Sequence, residues 1–247
     1  MSLRRIPAAI PLALAFLLLW QGLIMVTCLP PFLLPGPRAV LAALHSHPQL
    51  LAQATLRSAT EMIAGFALGG IAGAGLAVLM ALCPRIATAL RQLLLISQVI
   101  PIFAMAPILT LWLGYGIAPK IVVTALICFF PVASAFLNGL ERCSPACLDL
   151  AQSMGASRLR TMWHLRIPMA LPMLGSGLTL AAAYAPVGAV IGEWVGGSEG
   201  LGAVMIHANG RMRIDLTFAA LALVTLLALS FHGTVNWILR RALARFA

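Results

Sequence analysis

Charged residues are scarce in this sequence: Asp, Glu, Lys and Arg make up 9% of its 247 residues, whereas 62% are hydrophobic. Soluble domains carry about 25% charged residues, so a water-soluble core with a charged shell is excluded. A transmembrane helix needs about 20 mainly apolar residues. Uncharged runs of that length predict an all-α, polytopic membrane protein, a single domain over residues 1–247 with six spans at about 8–28, 63–84, 92–113, 121–138, 170–192 and 216–238.

Lysine is almost absent, since Lys120 is the only one and Ile121 follows it. A P-loop needs Lys beside Ser or Thr after a glycine-rich turn, so the chain lacks a nucleotide site of this kind. By the predicted span limits, no ionisable side chain lies at the centre of a span, although proton- and ion-coupled carriers usually keep one there. If the chain is an energised transporter, its energy is therefore expected to come from a partner chain.

Cysteines are also few. The five that occur are spread over both predicted faces and the membrane interior, and they give no disulfide framework. Cys143 and Cys147 have the spacing of one helix face, but no second pair of ligands lies near them in the sequence. We therefore expect no metal site.

The net charge of +10 reflects the side of the membrane on which each basic residue lies, and we do not expect nucleic acid as a partner. With a cytoplasmic N-terminus, five basic residues fall outside: Arg38, Arg57, Lys120, Arg211 and Arg213. The other eleven fall inside, as the positive-inside rule requires. Both termini are then cytoplasmic, and the chain is expected in the bacterial inner membrane.

Small residues recur at four-residue intervals in two predicted spans, which lets another helix approach closely. Span two carries Gly65, Gly69, Gly73 and Ala77. Span five carries one stripe of Gly177, Ala181, Ala185 and Ala189 and another of Gly188, Gly192 and Gly196. Packing within the chain is the preferred interpretation for span two, whereas span five leaves open packing, a subunit interface or a pathway.

The longest predicted cytoplasmic segment, residues 139–168, has the pattern of two short helices that meet at a glycine. Pro145 suits the first turn of a helix. Gly155 can adopt the left-handed conformation that ends one, and Ser157 is a good N-cap for the next. A loop of this length on the inner face is a candidate docking surface.

The same segment resembles the signature loop of binding-protein-dependent ABC importer permeases, written EAA, three residues, G, nine residues, I-x-L-P. The matching positions are Asp149, Ala151, Gly155, Leu165, Ile167 and Pro168. Asp149 replaces the usual Glu, and Leu150 stands where Ala is usual. The fixed spacing makes a chance match a poor explanation, and both departures are conservative.

This resemblance implies the MetI-like permease fold and a transport subunit rather than an enzyme. The loop is then a coupling helix seated in a groove of an ATPase subunit. The implied partners are a second permease copy in a homodimer, two ATP-binding subunits and a periplasmic substrate-binding protein, in addition to membrane lipid. ATP and Mg would be used by the partner ATPase, so no cofactor is expected on this chain.

The resemblance also reaches the predicted outer face. Residues 101–120 are similar to permeases that import sulfonates, nitrate, taurine and thiamine precursors, and residues 192–212 are similar to hydroxymethylpyrimidine permeases. Hydroxymethylpyrimidine is the expected substrate, with sulfonate, taurine or nitrate as alternatives. The candidates for the translocation path or an outer gate are Gln98, Tyr184, Glu193 and Trp194. The segment 193–202 is open to three interpretations: a gate, a docking site for the binding protein, or a plain re-entrant turn.

Two other classes of protein compete with this interpretation. An integral-membrane enzyme needs a catalytic cluster at the membrane surface, and the inner-face acids Glu141 and Asp149 lack partners in the sequence. A secondary carrier or channel is disfavoured by the lack of a charge at the centre of a span and by the matched loop.

Overall fold

The computed structural model describes residues 9–27, 29–197 and 199–244, and these residues form helices joined by short turns, with no β-strand among them. The first six helices are α1 (Ala9–Thr27), α2 (Pro37–Ser46), α3 (Pro48–Leu82), α4 (Pro84–Val99), α5 (Ile102–Leu113) and α6 (Ile117–Glu141). They are followed by α7 (Pro145–Ser153), α8 (Arg158–Thr161), a π-helical turn (Met162–Arg166), α9 (Ile167–Gly196), α10 (Leu201–Gly210) and α11 (Ile214–Leu243). The fold class is therefore all-α, as predicted.

Among the described residues, four helical segments are long and apolar enough to cross a membrane: Pro48–Leu82, Ile117–Glu141, Arg158–Gly196 and Ile214–Leu243. Shorter apolar helices lie at Leu17–Thr27 and Ile102–Leu113. This is the pattern of a multi-pass membrane protein, while the count of six spans stays a prediction. Helix α6 begins and α9 ends at the same end of the bundle. We call this the outer end, because the distribution of basic residues predicts that it lies outside the cytoplasm.

Helix α6 lies between α3 and α9, and small residues allow both contacts. A Cβ atom at Gly69 of α3 would lie 2.3 Å from the carbonyl oxygen of Ala125. A Cβ atom at Gly192 of α9 would lie 2.8 Å from the Cα atom of Lys120. The stripe of Gly69 and the stripe of Gly192 therefore pack within the chain, which is the interpretation preferred for span two and one of those left open for span five.

The stretch expected to form one span at 92–113 is two helices in the structure. Helix α4 ends at Val99 and α5 begins at Ile102. Pro101 has no backbone N–H, and a residue before proline is biased toward extended backbone, as Ile100 is with φ −73° and ψ 118°. Prolines inside α5, α6 and α9 do not end those helices, since neighbouring helices can satisfy the freed backbone groups.

Several helices extend beyond their apolar runs. Helix α3 begins at Pro48 and α6 at Ile117, so Glu61 and Lys120 lie inside helices instead of next to them. His232 also lies inside a helix, in the half of α11 that ends at Leu243. Glu61 and Lys120 can lie inside helices because they pair with each other at the outer end.

Candidate functional site

Local signals fix the backbone of the inner loop. The Ser144 hydroxyl accepts a hydrogen bond from the Cys147 N–H at 3.3 Å and caps α7. Gly155 ends the helix with φ +77°, and the Ser157 hydroxyl caps α8 by accepting from the Arg160 N–H at 3.3 Å. Two short helices that meet at Gly155 were predicted from the sequence, and the structure has this arrangement.

The residues that match the signature loop are distributed over this surface. Asp149 and Gly155 are exposed, whereas Ala151 and Leu165 line an open cavity of about 450 Å³. The last two, Ile167 and Pro168, begin α9. The structure thus brings only Ala151 and Leu165 together in one cavity and places the other four around it.

Exposed apolar side chains surround this cavity. Leu150 is 61% exposed and Met154 78% exposed, and both line it. Apolar patches on a water-facing loop mark interaction sites for proteins. The geometry of the loop therefore fits a surface that another protein covers.

The loop is also tied firmly to the helices. Met162, directly after α8, is 1% exposed and packs in one apolar cluster with Leu140 of α6 and Ala170 of α9. An ion pair between Arg91 and Glu141 joins α4 to the inner end of α6. The loop is therefore packed against α6 and α9, with α4 joined to the same end of α6.

At the outer end, a buried ion pair joins α3 and α6. Lys120 Nζ lies 3.0 Å from Glu61 Oε1, and the two side chains are 4% and 0% exposed. Lys120 Nζ also donates to the carbonyl oxygen of Glu199 at 2.9 Å. A charged pair out of water needs such added hydrogen bonds to offset its lost hydration.

Glu193 of α9 fixes the start of α10 from the other side. It accepts hydrogen bonds from the Ser58 hydroxyl and the Gly202 N–H, each at 2.5 Å. The same Ser58 oxygen accepts from the Leu201 N–H at 2.9 Å. Residues 199–202 are thus held by α3, α6 and α9 together, and we call Ser58, Glu61, Lys120 and Glu193 the outer anchor.

The outer anchor was only partly foreseen. Glu193 was a candidate, but Ser58, Glu61 and Lys120 were not. The only sequence signal for these residues was the rarity of such charges, since the chain has six acidic residues and one lysine. Four of these seven residues meet here: Lys120, Glu61, Glu193 and Glu199. Charged residues this rare at the ends of apolar runs indicate a paired site.

Two other path candidates, Tyr184 and Trp194, do not join this cluster. Tyr184 and Trp194 are 48% and 50% exposed on α9, whereas their neighbour Glu193 is fully buried. The side chain of Gln98 lies outside the described residues. Glu193 therefore holds the start of α10, and its role in a path or outer gate stays a prediction.

A polar cavity of about 600 Å³ lies beside the outer anchor. Its lining includes Arg57, Tyr115, Glu199 and His207, as well as Glu61 and Lys120. Arg57 Nε and Glu199 Oε2 form an exposed ion pair at 2.6 Å. Volumes of about 300–1,000 Å³ are typical of sites for small molecules.

Comparisons with known proteins agree on the class of protein. Residues 65–244 match the family described as binding-protein-dependent transport system inner membrane component. A probable ABC transporter permease protein of Haemophilus influenzae is 44% identical, over 91% of this chain and 92% of the relative. The riboflavin transport system permease protein RibX of Chloroflexus aurantiacus is 34% identical, over 98% of this chain and 89% of the relative.

Further relatives carry other substrates in their names. The formylaminopyrimidine transport permease protein ThiX of Halalkalibacterium halodurans is 36% identical, over 70% of this chain and 69% of the relative. The taurine transport system permease protein TauC of Escherichia coli is 27% identical, over 91% and 84%. Among solved structures, a chain of the MetNI methionine ABC transporter aligns with a TM-score of 0.68 at 19% identity, over 78% of this chain and 95% of that one.

Proposed function

This chain belongs to the family of binding-protein-dependent transport system inner membrane components, and from that premise we propose that it imports a nitrogen heterocycle, specifically the thiamine precursor hydroxymethylpyrimidine. It is the permease subunit of an ABC importer for a small solute, a transport component of the inner membrane and not an enzyme. Its fold is MetI-like.

The observation that carries the substrate proposal is the similarity to ThiX, named for formylaminopyrimidine, over 70% of the chain at 36% identity. RibX, at 34% identity, is named for riboflavin, which is also a nitrogen heterocycle. Sulfonate or taurine is the second candidate, because TauC is also a relative. Nitrate has no named relative among these proteins and ranks behind both.

We further propose that the loop 139–168 docks the ATP-binding subunit. Exposed Leu150 and Met154 and the adjacent cavity are the features that support docking. In this proposal Asp149 pairs with a basic group of the partner, and Ala151 and Gly155 allow close approach. ATP and Mg are then used by two ATP-binding subunits that engage the two loops of a permease homodimer.

Helix α9 provides a mechanical connection across the membrane in this proposal. It runs without interruption from Ile167 at the loop to Gly196 beside the outer anchor. At about 1.5 Å per residue, its 30 residues span roughly 45 Å. When the ATP-binding subunits close on ATP, they move the loops and tilt α9, which switches the path between its two openings.

The outer anchor makes α10 part of this moving unit. Residues 199–202 are bound to α3, α6 and α9 at once, so α10 cannot open like a free lid. We therefore propose that the outer mouth opens when whole helices separate, and that the binding protein delivers its solute to the polar cavity beside the anchor.

Growth of a suitable strain tests the substrate. A strain that cannot synthesise hydroxymethylpyrimidine, and from which this permease gene is deleted, should fail to grow on trace amounts of it and should recover when the gene is returned. Equal growth of both strains would contradict the substrate. If the gene is instead required for growth on taurine as the sulfur source, the second candidate replaces the first.

A further inference from the structure

A groove of about 620 Å³ lies between α9 and α11, in the half of the bundle near the cytoplasm. Its polar residues are Ser176 and Thr179 on α9 and His232, Asn236 and Arg240 on α11. No carboxylate is among its lining residues in the described part of the chain. A cationic, hydrogen-bonding groove of this kind is complementary to an anion.

Arg240 is turned into this groove. Its Nε atom donates to Asn236 Oδ1 at 3.2 Å, so the side chain runs back along the helix toward the membrane interior. A guanidinium has five N–H donors, and Asn236 is the one side chain that accepts from it within residues 9–27, 29–197 and 199–244.

The neighbouring Arg241 behaves differently. Its guanidinium carbon lies 4.0 Å from the centre of the Trp237 ring, in a cation–π contact. Arg241 does not line the groove. These two adjacent arginines have the same charge and nearly the same depth but different surroundings. Of the two, only Arg240 lines the groove.

His232 adds a second polar group deeper in the membrane. It lies eight residues before Arg240, about 12 Å along the helix at 1.5 Å per residue. His232 lines the groove, and its Nδ1 atom is buried without a hydrogen-bond partner among the described residues. Because Nδ1 is buried, a ligand in the groove cannot reach this atom, and His232 marks the far end of the lining.

The lining mixes polar and apolar side chains along its whole length. Leu239, Leu243 and Ala244 line its cytoplasmic end beside Arg240, and His232 lies at its far end with Leu180 and Ala183. Apolar walls next to a basic residue near the inner surface match an amphiphile that lies with its headgroup at Arg240.

We propose that this groove binds an anionic phospholipid of the inner leaflet. The phosphate lies at Arg240 and Asn236, and an acyl chain covers the apolar wall that includes Leu239, Leu180 and Ala183. The anionic cytoplasmic leaflet supplies such lipids, and basic pockets between helices on that side recognise their headgroups.

The test uses the complete permease and ATP-binding complex in vesicles of equal phosphatidylcholine and phosphatidylglycerol. After transfer to detergent, native mass spectrometry counts the lipids that stay bound. Wild type should retain phosphatidylglycerol in preference to phosphatidylcholine, and Arg240→Gln should lower that preference about fivefold, as expected for one basic residue near the surface. Arg241→Gln is the matched control and should leave the preference unchanged.

Equal effects of the two substitutions, or no preference in the wild type, would overturn the proposal. If Arg240→Gln does not assemble, the melting temperature of the wild-type complex, measured with and without added phosphatidylglycerol, tests the site instead. Added phosphatidylglycerol should raise its melting temperature because a ligand stabilises the folded state, and no rise would count against the site. Displacement of phosphatidylglycerol by free hydroxymethylpyrimidine or taurine would assign the groove to the solute instead of a lipid.

Discussion

Lys120 and Glu61 form a buried ion pair at the outer end of the bundle, with Nζ and Oε1 3.0 Å apart. The pair links the only lysine of the chain to an acid 59 residues earlier, and it holds α6 against α3. Because Lys120 also donates to the Glu199 carbonyl oxygen, the pair also holds the segment directly before α10.

Removal of one member of this pair should be strongly destabilising. Lys120→Met leaves Glu61 buried without its partner, which costs about 3–5 kcal/mol for an ion pair in a protein interior. Arg57→Gln breaks an ion pair whose side chains are 49% and 56% exposed, and should cost about 0–1 kcal/mol. Thermal unfolding of the two variants in detergent measures the difference, and equal melting temperatures would show that the buried pair has no special role.

Glu193→Gln should loosen the start of α10. The glutamine amide cannot accept from both Ser58 and the Gly202 N–H as the carboxylate does. Hydrogen bonds to a charged group contribute about 1.5–3 kcal/mol, so hydrogen exchange at Leu201 and Gly202 should accelerate roughly tenfold to a hundredfold. Glu199→Gln is the control because Lys120 binds its backbone carbonyl, which the substitution keeps. Unchanged exchange in Glu193→Gln would contradict the anchor.

Gly155 should be replaceable by asparagine better than by valine. Its φ of +77° strains a β-branched residue, whereas asparagine tolerates the left-handed region. Apart from the glycine and its two chain neighbours, no atom of the described chain lies within 4 Å of a Cβ placed there, so internal crowding is not the reason. Gly155→Val should insert normally and yet uncouple ATP hydrolysis from uptake, with Gly155→Asn less affected. Undiminished transport by the valine variant would refute the docking role of the loop.

Thiol labelling should map the docked face. Cys147 is exposed in the loop cavity and should react with a maleimide in the free permease and become protected in the complex. Burial raises the pKa of the Cys143 thiol, so less thiolate is present at neutral pH and labelling should be slow, increasing as the pH approaches that raised pKa. Mass spectrometry of the labelled peptides separates the two sites. Equal labelling of Cys147 with and without the partner would place docking elsewhere.

The inner loop was predictable because its signals are local. A proline, a glycine and two capping serines fix its backbone within a few residues of each other. The outer anchor was not predictable in the same way, because Glu193 meets Ser58 across 135 residues of sequence. Only the packing of α3, α6 and α9 brings these side chains together. The break at Ile100 shows a third case, in which Pro101 is visible in the sequence but the uncharged run around it predicts a single span.

The most direct test of the proposed import is uptake by proteoliposomes that contain the permease, its ATP-binding partner and the periplasmic binding protein. Labelled hydroxymethylpyrimidine should accumulate against its gradient only when ATP is present on the side of the loop 139–168, and Gly155→Val should abolish accumulation while hydrolysis continues. Equal accumulation without ATP, or accumulation driven by a proton gradient alone, would contradict a permease that depends on an ATPase docked at this loop.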